Sequence, residues 1–113
     1  VPTGIAVEIP QGYTMLIFSR SGYGFRHQIR LTNCVGVIDS DYRGEILVSL
    51  HNDQVEEAIW PDGLISRYKA IAQALILPVP EVDWLESEEL EETDRGTGGF
   101  GSTDTKEEKA LWR

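Results

Sequence analysis

Gly36-Val37-Ile38-Asp39-Ser40-Asp41-Tyr42-Arg43-Gly44 decides how the rest of the chain is read. Residues 39–44 are turn formers set between two apolar runs, so they predict a hairpin with residues 45–50 as its return strand. Working outward, residues 28–38 are strand-like but broken near Asn33 and Gly36, and residues 19–24 read as a loop or a very short helical turn. Residues 13–18 are rich in β formers, and residues 1–10 alternate Ile5, Val7 and Ile9 against Ala6 and Glu8, a period of two. On the other side, residues 55–60 form another strand, ended by Pro61-Asp62-Gly63, and residues 70–79 form a longer buried strand closed by Pro78 and Pro80. Short strands at intervals of roughly 8–12 residues, with turn signals between them, predict an all-β barrel or jelly roll.

The size and composition suit one domain. The chain has 113 residues, 41% of them hydrophobic and 26% charged, enough for one modest core and too few for two independent domains. No apolar run approaches the roughly 20 residues needed to span a bilayer, and no secretory signal is visible. The lone Cys34 cannot form an intrachain disulfide, so a reduced, cytoplasmic setting is expected. The net charge is −9 and it is uneven: −2 over residues 1–80 (8 acids, 6 bases) and −7 over residues 81–113 (11 acids, 4 bases). That balance argues against stable nucleic-acid binding, which needs clustered Lys and Arg. It leaves room for a small anion held by a few well-placed donors.

The division predicted from composition is a β-barrel core at 1–80, an acidic tether at 81–94, a glycine-rich motif at 95–104 and a charged, helix-friendly tail at 105–113. Residues 81–92 carry seven acids and no base, and read as a short helix or an extended tether. In the glycine-rich motif, backbone amides can turn toward one anion, Arg95 adds a planar fork, and Ser102 and Thr103 add hydroxyls. Phe100 has no local core to join and can stack on a base; a flexible linker fits the same composition. Asp39 can align and deprotonate a water, or simply form an Asx turn, and Tyr42 can pack under a sugar or against the core. Arg20, Ser21 and Gly22 follow a strand and can hold phosphate, or form a solvated loop. Gln73 lies in an apolar strand and must bond either to backbone or to a ligand. His27 and His51 make no zinc pattern, and Trp60 and Trp84 read as packing residues.

Taken in order, these segments resemble the trimeric dUTPase family. Arg20-Ser21-Gly22 looks like its second motif, residues 33–45 like its third, Ile71-Ala72-Gln73 like its fourth and residues 95–103 like its fifth. The resemblance implies a jelly-roll β barrel, a homotrimer with sites between subunits, and hydrolysis of dUTP to dUMP and pyrophosphate. It further implies that Asp39 is the general base and that Tyr42 sits against the deoxyribose. Asn33, Gly36, Val37, Ile38 and Leu47 would surround the uracil. Arg20, Ser21, Gly22 and Gln73 would hold phosphates, and Arg95 would meet the γ-phosphate. Phe100 would cover the base, with Gly101, Ser102 and Thr103 completing the phosphate cradle. Mg2+ would be held through the triphosphate and water, with no direct protein ligand.

Three departures accompany the resemblance. The family's first motif, a Gly–x–Asp–Leu-like segment on a further strand, has no counterpart here. Tyr68-Lys69-Ala70 replaces the usual Gly-Asp/Glu-Arg before the fourth motif. Residues 106–113 run past the fifth, and Trp112 either docks on a partner or belongs to a solvated tail. Two alternatives follow: a catalytically impaired binding or assembly module, and a dCTP deaminase of the same fold. Against the deaminase, Ser49 stands where its catalytic Glu would lie.

Overall fold

The structure, a computed structural model, describes residues 1–53 and 65–111. Among the described residues five strands and two short helices follow one another: β1 (Tyr13–Ser19), α1 (Ser21–His27), β2 (Ile29–Leu31), β3 (Val35–Ile38), β4 (Leu50–Asn52), β5 (Ala72–Pro78) and α2 (Lys106–Ala110). The chain divides into two units, Val1–Val82 and Asp83–Arg113. In the first, β1 is the centre of a three-stranded antiparallel sheet ordered β3-β1-β5, and β2 pairs with β4 in a second sheet.

The core of this unit follows from alternation. Met15 and Ile17 on β1 point inward, as do Ile29 and Leu31 on β2, while Arg30 between them faces out. Met15, Ile17 and Leu31 pack with Ile9, Ile46 and Val48 into one buried cluster, with Val7, Ile38, Leu50, Ile71 and Ala72 at its edge. Arg30 makes a two-point bond to Asp53 (2.9 and 3.2 Å). That carboxylate, by its hydrogen bond and then its charge, raises the Arg30 pKa above its ordinary value.

Several local expectations are corrected. Residues 1–10 form no regular strand. They lie along residues 46–48 through an irregular set of bonds, Ile46 N–H to Ile5 O (2.9 Å) and Val48 N–H to Val1 O (2.9 Å) among them, with a single bridge at Pro2 and Leu47. Gly4, in the left-handed region at φ 70°, turns the backbone out of ladder register, and Pro2 and Pro10 have no N–H to give. Of the loop or very short helical turn expected at residues 19–24, the helical alternative is the one formed, and it is longer than expected, Ser21–His27. Its sequence hides this because Gly22 and Gly24 are poor helix formers. The helix is anchored by buried Tyr23 and closed by the left-handed Gln28, whose amide donates to Gly24 O and Tyr23 O. Gly36 does not break a strand; it lies inside β3, and the break falls at residues 32–34, where Cys34 takes φ 64°.

The predicted hairpin is not a paired hairpin. β3 pairs with β1 (Met15↔Ile38 through Phe18↔Val35), and the regular return strand is β4, which pairs with β2 (Ile29↔Asn52 to Leu31↔Leu50). The 70–79 run forms β5, but it is not buried. Residues 73–78 are all exposed, with Leu75 at 56% and Ile76 at 57%. An apolar run reads as buried, but among the described residues β5 is an edge strand, paired with β1 alone. The 55–60 strand, Trp60, residues 61–63 and Trp112 lie outside the described residues.

The second unit is built from turns. No residue of 83–111 is buried, so Trp84, expected to pack, is 92% exposed. Residues 81–92 contain no helix. The tail forms α2, capped by Thr105: its hydroxyl accepts from Glu108 N–H (3.3 Å) and Glu108 Oε2 accepts from Thr105 N–H (2.8 Å). Among the described residues, no helix is long and apolar enough to cross a membrane.

Candidate active site

The site is built where the two sheets part company. β2 and β4 run side by side as far as Leu31↔Leu50. One step further, Thr32 N–H donates to Ser49 O (2.9 Å) and the two hydroxyls meet at 2.9 Å. Beyond that point the walls separate, because β3 turns to β1 while Ile46 and Val48 bond to the first five residues. Backbone groups of successive residues in an extended segment point to opposite sides. Those of Ile46 and Val48 therefore face residues 1–5, and those of Leu47 between them face the β3 side. Two strand edges thus look at each other across a gap without a ladder. Such edges need hydrogen-bonding partners.

A cavity of about 320 Å³ fills that gap. Its lining includes Asn33, Gly36, Val37, Ile38 and Leu47, which the sequence had grouped, and also Thr32 and Ser49, which it had not assigned to a base site. Gly36 is needed here: a Cβ would come within 3.2 Å of Ile17 Cβ, and Asn33 Nδ2 lies just beyond at 3.7 Å. Thr32 was missed because residues 32–34 read only as a break in a strand. Ser49 was considered only as a mismatch to a deaminase acid. A larger groove of about 1060 Å³ runs between residues 1–7 and 65–74, and of the predicted residues it contains only Gln73. The smaller cavity brings together five of the residues grouped for the base, so it is the better candidate for reading one.

Asp39 leaves the end of β3 exposed to solvent. The strand end is pinned by Thr14 Oγ1, which donates to Ile38 O (2.9 Å). The Asp39 carbonyl accepts from Tyr42 N–H (3.2 Å), closing a turn. The Tyr42 hydroxyl donates to Glu45 O (2.8 Å), and its ring lies over Gly44 so closely that a Cβ there would meet the phenol oxygen at 2.5 Å. The ring is therefore fixed, 42% exposed, rather than buried in the core.

Arg20, Ser21, Gly22 and Gln73 gather at the opposite end of β1. Gln73 is not a buried amide; it is exposed, and its Nε2 donates to Ser19 O (2.8 Å). Arg20 Nη1 donates to Ala70 O (2.6 Å), and the guanidinium lies 5.3 Å from the centre of the Tyr23 ring. Asp39 leaves β3 beside Thr14, since Ile38 pairs with Met15. From Thr14 to Arg20 along β1 is about 20 Å at ~3.3 Å per residue. The carboxylate and the Arg20–Gln73 group of one chain therefore do not meet.

In the second unit, Arg95 Nε donates to Gly98 O (2.9 Å), and successive turns bring Ser102 N–H to Gly99 O (2.9 Å) and Asp104 N–H to Gly101 O (3.1 Å). Gly101 has φ 68°, and a Cβ there would come within 2.5 Å of Asp104 Oδ2. The Phe100 ring is fully exposed.

A family model described as dUTPase matches residues 1–104. The chain belongs to the dUTPase family. Among its relatives, the deoxyuridine 5'-triphosphate nucleotidohydrolase of Nautilia profundicola is 48% identical over 105 residues, which are 91% of this chain and 69% of that protein. The protein of the same name from Anaplasma marginale is 49% identical over 105 residues, covering 93% and 68%. Among solved structures, a mutant of the Staphylococcus bacteriophage 80alpha dUTPase with dUpNHpp superposes with a TM-score of 0.73 at 28% identity, covering 88% of this chain and 72% of that one. A second mutant of that phage enzyme gives 0.75 at 29%, covering 90% and 73%. The fold is the all-β jelly roll of this family.

Proposed function

We propose that the chain is a dUTP pyrophosphatase that converts dUTP and water to dUMP and pyrophosphate by Asp39-assisted attack of water on the α-phosphorus. Its family membership supports the hydrolase activity. The observation that carries the site assignment is the cavity between the splayed walls, lined by Asn33, Gly36, Val37, Ile38 and Leu47, with Asp39 leaving the end of the same strand. A uracil edge, with donors and acceptors in one plane, can supply what two facing strand edges lack. The Tyr42 ring, held by Glu45 O, would lie against the deoxyribose.

Asp39 would take a proton from the water as its oxygen attacks the α-phosphorus. The bond from that phosphorus to the bridging oxygen breaks, and pyrophosphate leaves. Alignment and charge neutralisation carry most of the barrier lowering in such a transfer. Arg20, Ser21, Gly22 and Gln73 would hold phosphate oxygens. Arg95 would meet the γ-phosphate, Phe100 would cover the base, and Gly101, Ser102 and Thr103 would complete the cradle.

Two observations favour assembly as a homotrimer with shared sites. Along β1 at ~3.3 Å per residue, Asp39 lies about 13 Å from Gln73, which pairs with Phe18, and about 20 Å from Arg20, so a neighbour supplying the phosphate-holding group fits this spacing. The exposed apolar run of β5 offers surface to bury between copies. In this reading residues 1–80 form the barrel core, 81–94 tether the motif at 95–104, and 105–113 form a tail. No group of three or more His, Cys, Asp or Glu that could hold a metal lies among the described residues. Mg2+ would enter with the substrate, chelated by triphosphate and water.

The test is pyrophosphate release from dUTP by the full chain with magnesium, beside sedimentation of the same sample. Turnover of dUTP by a trimer is expected. A folded chain that leaves dUTP intact would instead support a binding or assembly role, and ammonia release from dCTP would point to a deaminase.

A further inference from the structure

We propose that the Thr32–Ser49 hydroxyl pair is the positioning pin of the base cavity, setting the separation of its two walls and so the fit of the pyrimidine. The proposal rests on the reading of this cavity as the uracil site. The pair stands where paired strand becomes open pocket. On one side lies the β2–β4 ladder, ending at Leu31↔Leu50. On the other, β3 and residues 46–48 diverge to separate partners, and the cavity begins with Thr32 and Ser49 in its lining. The crossing at this point is double: Thr32 N–H to Ser49 O at 2.9 Å, and hydroxyl to hydroxyl at 2.9 Å.

On the β3 side the next residues are held in a tight turn. Cys34 N–H donates to Leu31 O (3.2 Å), Val35 N–H donates to Asn33 O (2.7 Å), and Cys34 has a positive φ. That turn carries Asn33 into the cavity wall, so its position follows from Thr32. A base wedged between the walls loads the point where they join. The backbone bond alone leaves Thr32 free to pivot about it, and the hydroxyl link removes that freedom. In the pair one hydroxyl donates and the other accepts, which leaves one O–H and spare lone pairs for a ligand or a water. The pair is exposed, so the pin is also a polar contact that a ligand or a water can reach.

The experiment is steady-state dUTP hydrolysis by the full chain with magnesium, comparing wild type with Thr32→Val, Ser49→Ala, the double variant and Thr32→Ser. Thr32→Val keeps the shape and the backbone bond and removes the hydroxyl. Each single loss is expected to raise KM about 5-fold, the scale of one neutral hydrogen bond, with kcat falling by less than KM rises. The double variant should be no worse than either single, because both remove the same link. Thr32→Ser should return KM to the wild-type value. Unchanged KM in both singles, multiplied effects in the double, or a loss confined to kcat would each overturn the pin while leaving the uracil site standing. Absence of dUTP turnover by the wild-type chain would overturn the functional reading, and the pin with it.

Discussion

The units Val1–Val82 and Asp83–Arg113 differ in how they hold themselves. The first has a core, with Ile29 at 0% and Leu31 at 2% exposure, and long-range ladders that tie β1 to β3 and β5. The second has no buried residue through residue 111, and its turn and cap bonds reach back three or four residues, as in Gly98 N–H to Arg95 O and Lys109 N–H to Thr105 O. Burial of apolar surface makes the first unit's geometry its own. Local turns alone leave a segment close to the free-energy scale of its ordering entropy. The functional weight assigned to Phe100 and Arg95 therefore has to come from what they bind, whereas Asp39 and Asn33 are positioned before any ligand arrives.

Substitutions that separate stability from activity sharpen this contrast. Asp39→Asn has the largest expected effect: turnover falls by about 10²–10⁴-fold, the range of a lost general base, while the denaturation midpoint stays put because the side chain is exposed. Full turnover in that variant would remove Asp39 from the chemistry. Ile29→Ala empties a fully buried position in the first unit and should cost about 2–5 kcal/mol in chemical denaturation; a loss below 1 kcal/mol would mean that this side chain is not closed off from water. Phe100→Ala should leave the denaturation curve unchanged and weaken uracil-nucleotide binding by about 1–3 kcal/mol. A dissociation constant equal to wild type would leave the ring without a role.

The smallest effect belongs to Thr105→Ala, which removes the cap of α2. Fraying confined to residues 105–110, read as faster amide exchange there with no global change, is the expected result. The same helix carries a pH signature. The backbone and then the hydroxyl of Thr105 hold the Glu108 carboxyl below its ordinary value. A depressed folded value stabilises α2 above the ordinary carboxyl pKa and is lost as pH falls through the lowered one. Thr105→Ala keeps the backbone N–H, the larger cause, so it should shrink that pH dependence only in part, and an identical titration of Glu108 in both proteins would mean that the hydroxyl contributes nothing to it.

The strands at 13–19 and 72–78 were legible because β-forming residues and proline punctuation define them: the run Tyr13 to Phe18, and an apolar run closed by Pro78 and Pro80, although its place at an exposed edge was not. The glycine-rich motif and the Asp39–Gly44 turn were legible for the same reason, since turn chemistry is a property of adjacent residues. What no local pattern contains is which strand answers which. The sequence around Asp39 reads as a closed hairpin, yet the walls part because β3 finds a better partner in β1 and residues 46–48 are taken by the first five residues. The cavity, the Thr32–Ser49 crossing and the exposure of Leu75 and Ile76 all follow from that competition. Pairing between segments distant in sequence is settled by total burial and hydrogen-bond satisfaction, so only the tertiary structure decides it.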